Sequence, residues 1–368
     1  MSVRESLENL VIPRWLLWVL LGVLVVAAIA VMSRVWPVGA DYYYHYRPAV
    51  EDWLAGDTRL YDGEGAKFRL MPWAMVLLVP VTLLPLNIGQ AALNVLLLGS
   101  LIAAIRVFQG HEKSFPLYAV ALSLGNLHTF DLLIRGGKLD ALILLGIALG
   151  WWAVHFRHPL LLSLGFLLIA VKPPNGLLAA LLFLYAVRDW SISDQLKALS
   201  LPVLAFVISS LLIGFDWPMR YVAFNVGAPP NAYLSADIWR AASLLGLPTW
   251  PLGILTAVGV IAWAGLVWRV GLDEWSLSIA LATNLVFTPY ANDSHFVLLI
   301  PAFLFVARQS WKLALLAYLT TFAPLVRLAY GSTAAPVDIL YPVVLLAAAW
   351  YFSLRTTPRP VHQAATPS

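Results

Sequence analysis

The 368-residue chain contains no cysteine and few charged residues. Without cysteine it can form no disulfide, c-type haem attachment or thiolate metal site, and its redox compartment cannot be inferred. Charged residues make up 11% of the chain, against roughly a quarter in soluble proteins, whereas 61% of the residues are hydrophobic. This composition predicts a membrane protein.

Familiar nucleotide-binding and hydrolase motifs are also missing. The chain has no Walker A loop, Rossmann glycine fingerprint, G-x-S-x-G or H-E-x-x-H sequence. Its net charge of +4 is small, and no basic arm or interleaved aromatic patch indicates nucleic-acid binding. An enzyme built on this chain would most simply take an activated lipid phosphate from the bilayer, and we expect no separate cofactor.

Long apolar runs supply the predicted membrane spans. Residues 15–33 could cross about 30 Å of hydrocarbon as a helix, and this run has no small-residue cleavage site. Several later runs are short or split by proline, which is tolerated at membrane depth only inside protein or beside a cavity. We predict one all-α polytopic domain over residues 1–353, with apolar runs at 15–33, 70–86, 89–108, 116–134, 139–156, 159–171, 174–187, 198–215, 250–269, 275–289, 294–307, 311–327 and 336–353.

Lysine and arginine in the short connections predict the orientation in the plasma membrane. Basic connections are expected in the cytoplasm, which leaves the break at Lys172 and four segments on the extracytoplasmic side: 35–69, 135–138, 216–249 and 290–293. Thirteen runs cannot join two cytoplasmic termini, so one run must fail to cross, and the pair 70–86 and 89–108 is the suspect. Residues 354–368 have the composition of a disordered cytoplasmic tail.

The segment that follows the first span is the first candidate site. Asp41 precedes a run of tyrosines, and residues 47–54 predict an amphipathic interfacial helix with Val50 facing lipid. An aromatic belt at the membrane interface would account for the tyrosines but explains Asp41 less well. An acid among aromatic side chains suits a general base, and Tyr44 is a candidate substrate contact beside it.

A second polar segment interrupts two apolar runs on the same predicted side. Asn292, Asp293 and His295 follow a proline break, which is costly in lipid unless it faces a cavity. The alternative is an ordinary polar turn between two spans. One histidine and one aspartate without a third spaced ligand are weak evidence for zinc, so we expect no metal.

Cations at helix breaks form the third set of candidates. Arg135 and Lys138, with Asp140, follow one apolar run, and Lys172 precedes two prolines between two others. Such cations usually extend to lipid headgroups, which is the simpler explanation for most of them. A cation beside freed backbone N–H groups, as at Lys172, is also what a phosphate needs.

Taken together, these motifs resemble those of glycosyltransferase family 87, integral-membrane enzymes of the GT-C fold that depend on polyprenyl-phosphate mannose. The resemblance covers residues 15–310 through short motifs in a shared order: Asp41 with Gly56 to Tyr61, Met71-Pro72 with Pro80 and Leu84-Pro85, Lys172-Pro173, and Thr288 through His295. It implies a GT-C-like bundle of about 11–13 hydrophobic helices with an extracytoplasmic interfacial helix after the first span.

The resemblance also implies roles for individual residues. Asp41 would take the proton of the acceptor hydroxyl, His295 would lie near it as a partner, and Lys172 would lie near the lipid phosphate. The chain departs from the family's G-Q-x-N pattern, since it has Lys138 and Asp140 where the family has two amides. The family's histidine doublet is reduced to a single histidine, preceded by serine.

The expected function is transfer of a hexose, with mannose first, from a polyprenyl-phosphate sugar to an extracytoplasmic lipid or glycan acceptor. The expected partners are that donor, the acceptor and membrane lipids. Arabinose or glucose on the same carrier is the closest alternative. A lipid transporter would also have broken helices, although it should show inverted repeats, and a non-catalytic membrane scaffold could keep the fold with an altered site.

Overall fold

The computed structural model describes residues 13–62, 68–110, 116–227, 237–288, 291–330 and 337–355. Within these ranges the chain forms helices and no β-strand. Four of the helices are long and apolar enough to cross a membrane: Trp15–Val35, Leu86–Gln109, Ile192–Ile213 and Trp250–Val270. The described chain is therefore an all-helical protein of membrane type, as its composition predicts. The predicted tail lies almost entirely outside the described residues.

The α-helices follow the apolar runs of the sequence closely. Those of the first half are α1 (Arg14–Val35), α2 (Arg47–Leu54), α3 (Ala74–Thr82), α4 (Leu86–Gln109), α5 (Leu117–Leu124), α6 (Leu127–Phe130), α7 (Asp140–Phe156), α8 (Pro159–Ile169) and α9 (Pro173–Ala186). Those of the second half are α10 (Ile192–Ile213), α11 (Trp217–Gly227), α12 (Ile238–Leu244), α13 (Trp250–Val270), α14 (Glu274–Phe287), α15 (Ile300–Gln309), α16 (Trp311–Thr320), α17 (Ala323–Tyr330) and α18 (Leu340–Ser353).

Three unusual turns connect these helices. Tyr42–Tyr46 and Asp131–Gly136 form π-helical turns, and Asp293–Leu299 forms a 3-10 helix that continues into α15. A π-helical turn is rare and often lies at a functional site. All three turns lie at candidate residues, since Asp41 precedes the first, Lys138 follows the second and His295 belongs to the third.

The centre of the molecule is built from short helices. In α14 every residue from Trp275 to Val286 is buried, and the whole 3-10 helix is buried as well. Helices α9 and α18 pack against α14, while α4, α7, α8 and α10 form a neighbouring layer. By contrast, α1 contacts α4 and otherwise exposes its apolar side chains. Burial by protein explains why the short apolar helices need not match the thickness of a bilayer.

Helices α7 and α8 approach each other at two facing glycines. A Cβ atom added to Gly146 would lie 2.8 Å from the carbonyl oxygen of Gly165, and one added to Gly165 would lie 2.9 Å from the carbonyl oxygen of Gly146. Both distances are too short for a carbon atom. The small residues thus let the two backbones touch, as at many helix crossings in membrane proteins.

The segment after α1 is helical as predicted, but its apolar face is covered by protein. Helix α2 has the predicted bounds, yet Val50 is fully buried in the core and does not face lipid. Tyr42 and Tyr46 are buried too, and the Tyr42 hydroxyl donates to the Val81 carbonyl at 2.9 Å. Only Tyr43 and Tyr44 are exposed as an aromatic belt requires. The predicted interfacial placement is wrong for the buried members.

Two apolar runs and one predicted loop differ from simple expectations. Run 70–86 contains only the nine-residue α3, about 14 Å long, so this helix cannot by itself cross about 30 Å of hydrocarbon. Run 116–134 is broken because the Asn126 side chain caps α6 by accepting from the Thr129 N–H at 2.9 Å. The predicted loop 216–249 contains α11 and α12, and its residues 228–236 lie outside the described ranges.

Candidate active site

A break between two helices places Lys172 in the interior. Helix α8 ends at Ile169, and α9 begins at Pro173. Proline suits the first position of a helix, and it disfavours the helical conformation of the residue before it. Lys172 therefore adopts a non-helical backbone with φ −141° and ψ 81°, and its Nζ lies 2.7 Å from Nε2 of His295, a residue 123 positions further along the chain.

The backbone of the 3-10 helix fixes the His295 ring. The Asn292 backbone N–H donates to Nδ1 of His295 at 3.0 Å, and the ring is fully buried. Because Nδ1 accepts this hydrogen bond, a neutral ring carries its proton on Nε2 and has no acceptor left for a charged lysine. Nε2 faces both Lys172 and an oxygen of Asp140, which lies 3.9 Å away. The approach of Lys172 to Nε2 is therefore a hydrogen bond only while the lysine is a neutral amine.

Asp140 supplies a buried negative charge beside these groups. It is the first residue of α7 and is 2% exposed. Its Oδ1 accepts from the Asn175 side chain at 2.8 Å, and its Oδ2 is the oxygen near His295. A buried carboxylate is costly unless nearby cations and hydrogen bonds compensate for lost hydration. The lysines and Asn175 provide that compensation.

Lys138 is a second lysine that contacts the 3-10 helix. Its Nζ donates to the Ser294 hydroxyl at 2.8 Å and lies 4.0 Å from a carboxylate oxygen of Asp131. Lys138 and Asp140 are the charged residues that depart from the family's two amides, and both face the same interior site. We call Lys138, Asp140, Lys172, Asn175 and His295 the charged cluster.

Asp41 lies within electrostatic range of the charged cluster. Its charge acts on both Lys172 and Asp140, and its side chain is partly exposed. A carboxylate that water and a substrate can reach, close to buried cations, has the position that a proton acceptor requires.

Gln90 of α4 connects the Asp41 segment to the Lys138 segment, and it is not among the candidates that the sequence suggests. Its side-chain carbonyl accepts from the Gly39 N–H at 3.3 Å, and its amide donates to Asn94 at 2.8 Å. Gly137, directly before Lys138, adopts a φ of 62° and leaves no room for a Cβ, which would lie 2.8 Å from the Gln90 amide nitrogen. In the sequence, the only sign of this contact between the two segments is that Gln90 is an amide within an apolar run.

The end of the 35–69 segment is fastened close to Lys172. The Tyr61 hydroxyl donates to the Leu70 carbonyl at 2.7 Å, and the Met71 N–H donates to the Val171 carbonyl at 3.0 Å. Burial raises the pKa of Tyr61 above its usual value, so this phenol keeps its proton at neutral pH. The charge of Arg69, the residue directly before Leu70, acts on Lys172.

An apolar cavity of about 290 Å³ reaches the residue before Lys172. Helices α2, α3, α8 and α10 contribute its walls, and Val171 is part of its lining. With Ser209 as the one hydroxyl, the lining otherwise consists of apolar and aromatic side chains such as Trp53, Leu168 and Leu204. The cavity can hold part of a hydrocarbon chain, and Lys172 is the residue after Val171 of its lining.

Other candidates suggested by the sequence lie outside the charged cluster. Tyr44 is 61% exposed and packs edge-on against Tyr43, so it faces away from the cluster. Asn292 acts through its backbone N–H, which holds the His295 ring. Asp293 is buried at the start of the 3-10 helix, whereas the side chain of Arg135 lies outside the described residues.

Three comparisons were made with known proteins: family models, curated proteins and solved structures. None of them returned a match. The resemblance to glycosyltransferase family 87 is therefore carried by the short motifs alone, and the functional argument depends on the site itself. Among the described residues, no three His, Asp or Glu side chains gather as a metal site would require.

Proposed function

We propose that the chain is a membrane glycosyltransferase that moves a hexose from a polyprenyl-phosphate sugar to an extracytoplasmic lipid or glycan acceptor, with inversion. Mannose is the first sugar to test. The observation that carries the proposal is the position of Lys172, which follows Val171 of an apolar cavity in the sequence and lies within electrostatic range of Asp41. A lipid phosphate needs a hydrocarbon site and a cation side by side, and glycosyl transfer needs a nearby base.

The charged cluster supports recognition of the donor phosphate. Lys172 and Lys138 both face the 3-10 helix, and Arg69 adds a third cation nearby. Preorganised cations stabilise the negative charge that develops on a departing phosphate. While no phosphate is bound, Asp140 supplies negative charge near both lysines, and the Ser294 hydroxyl accepts from Lys138.

The transfer step assigns Asp41 as the general base. The acceptor hydroxyl oxygen attacks the anomeric carbon from the face opposite the phosphate, and its proton passes to the Asp41 carboxylate. The bond between the anomeric carbon and the phosphate oxygen breaks, and the polyprenyl phosphate leaves with the electron pair. Lys172, with Lys138, stabilises the charge on that oxygen. The His295 ring is a positioning group for Lys172.

The test is incubation of purified protein in nanodiscs with polyprenyl-phosphate mannose, glucose and arabinose, followed by detection of donor consumption and a new glycoside. Asp41→Asn should abolish transfer while the unfolding temperature stays unchanged. Asp52→Asn is the matched control, because Asp52 is an exposed carboxylate on α2 outside the charged cluster. Substantial transfer by the Asp41 variant would remove Asp41 from the mechanism.

Lipid transport is the second candidate, favoured by the same cavity and cations. A transporter would move a polyprenyl-phosphate sugar across the bilayer without consuming it. Reconstitution with a labelled donor separates the two functions, since transfer produces a glycoside and transport leaves the donor intact on the other side. A non-catalytic scaffold would produce neither result.

A further inference from the structure

A second cavity lies at the opposite end of the helices that carry the charged cluster. It has a volume of about 370 Å³ and lies where α7, α9 and α13 end. Helix α7 begins at Asp140 and has 17 residues, so its two ends are about 25 Å apart. This basic cleft, lined by Arg157, Arg188 and Arg269 among others, is thus separate from the candidate active site.

Arginine side chains dominate the charge of the basic cleft. Three guanidinium groups face a single carboxylate, that of Asp189, which lies 3.7 Å from Arg188. Arg188 also lies over the Tyr185 ring at 3.8 Å and donates to the Tyr185 carbonyl, so its position is fixed. Among the described residues, the side chain of Arg269 makes no hydrogen bond or ion pair, and that of Arg157 makes no hydrogen bond, although its charge acts on the carboxylate of Asp194.

The backbone at Arg157 is the second observation. Arg157 ends α7 with φ 55° and ψ 51°, and it is the one non-glycine residue with positive φ in the described ranges. Glycine or asparagine is usual at this position of a helix end, because a Cβ atom is unfavourable there. Residues held in such a conformation often serve a function that offsets the strain. Here the strained residue directs a guanidinium towards the cleft.

The surroundings of the cleft indicate a membrane surface. Helix α13 is one of the candidate spans, and it ends with Trp268, which is 80% exposed, and Arg269. Tryptophan and arginine together at the end of a span are typical of the headgroup region. Apolar residues, including Val270 and Leu272, complete the lining. Guanidinium groups bind phosphate through paired hydrogen bonds.

We propose that this basic cleft binds the phosphate of an anionic membrane lipid. The headgroup phosphate lies between Arg157 and Arg269, with Arg188 as a third donor, and the glycerol and first acyl carbons contact the apolar lining. The basic connections at this end are those that the sequence assigns to the cytoplasmic side. The site is independent of the proposed glycosyl transfer, since it is built from the far ends of α7 and α9.

The test measures lipid retention by native mass spectrometry and unfolding temperature in nanodiscs of phosphatidylcholine, with or without phosphatidylglycerol. The test variant is the double substitution Arg157→Gly with Arg269→Gln. Glycine is favoured at the strained position, so this variant should fold normally in phosphatidylcholine. Arg106→Gln is the matched control, because Arg106 is an exposed arginine in the last turn of α4 and does not line the cleft.

We expect wild type and the control to retain phosphatidylglycerol and to gain unfolding temperature from it. The double variant should bind it at least about tenfold more weakly, because two charge-assisted contacts are lost. Equal retention by the double variant and wild type would overturn the proposal. A parallel titration with inorganic phosphate identifies the source of the ligand. If phosphate alone raises the unfolding temperature and phosphatidylglycerol is not retained, the lipid assignment is wrong.

Discussion

Substitution of Gly137 by alanine tests whether Gln90 joins the two segments that approach the charged cluster. Two costs combine at this position. A left-handed φ of 62° costs an alanine about 1–2 kcal/mol. The new Cβ would lie 2.8 Å from the Gln90 amide nitrogen, so the Gln90 side chain must move away. Each hydrogen bond that Gln90 then loses, to Gly39 or to Asn94, contributes about 1 kcal/mol.

Gly246 provides a matched control for the backbone cost. It has a φ of 67°, the Leu247 N–H donates to the Ala242 carbonyl as at a helix end with a left-handed residue, and a Cβ added to Gly246 meets no atom within 4 Å. Gly246→Ala should therefore lower the free energy of unfolding by about 1–2 kcal/mol, whereas Gly137→Ala should lower it by about 2–4 kcal/mol. Reversible denaturant unfolding of the purified protein in detergent measures both values.

A double-mutant cycle separates the two costs at Gly137. In a Gln90→Ala background the steric conflict is absent, so Gly137→Ala should cost no more than the Gly246 control. Glycosyl transfer should fall in Gly137→Ala, because the displaced Gln90 releases Gly39, two residues before Asp41. If Gly137→Ala and Gly246→Ala destabilise the protein equally in the wild-type background, Gln90 does not hold the segments as described.

Three further substitutions test other parts of the structure. Tyr42→Phe removes a buried hydrogen bond and should lower the free energy of unfolding by about 1 kcal/mol, while Tyr44→Phe, at an exposed position, should change it little. Gly165→Ala places a methyl group against a backbone carbonyl of α7 and should cost about 1–3 kcal/mol in the same unfolding assay. The Arg59 hydrogen bond lowers the pKa of Asp57 to about 2, so this pair favours the folded state above the ordinary carboxyl pKa and stops doing so as pH falls towards about 2. An NMR titration should show the Asp57 pKa rising towards about 3.9 in Arg59→Ala, and an unchanged value would contradict the pairing.

The helices could be predicted from sequence because the length of an apolar run and the spacing of its apolar residues are enough to recognise a helix. The bounds of α2 and α7 agree with the predictions to within a residue. What covers an apolar face could not be predicted in the same way. Val50 has the periodicity of an interfacial helix, yet protein covers it where lipid was expected. An apolar pattern indicates that a face must be buried, but it does not show whether lipid or protein covers that face.

Part of the site could also be predicted from sequence, because a charge between two apolar runs is energetically costly in a membrane and usually has a function. Lys138, Asp140, Lys172 and His295 meet in the structure as members of one cluster. The interaction partner of each charged residue could not be predicted from sequence. Contacts such as that between Lys172 and His295 join residues 123 positions apart, and no local pattern encodes them. Gln90 could not be predicted as part of the site, because no characteristic spacing marks a neutral amide in an apolar run.

The wide separation of these contacts has a consequence for the synthesis of the chain. Asp140 and Asn175 are 35 residues apart, whereas His295 follows Lys172 by 123 residues. At a synthesis rate of about 5–20 residues per second, about 6 to 25 s pass between translation of Lys172 and translation of His295. During that interval the translocon must accept apolar segments that contain Lys172 and Asp140 before the histidine exists. The hydrogen bond between Asn175 and Asp140 can form before His295 is made, and the interior is completed only when the 3-10 helix has been made.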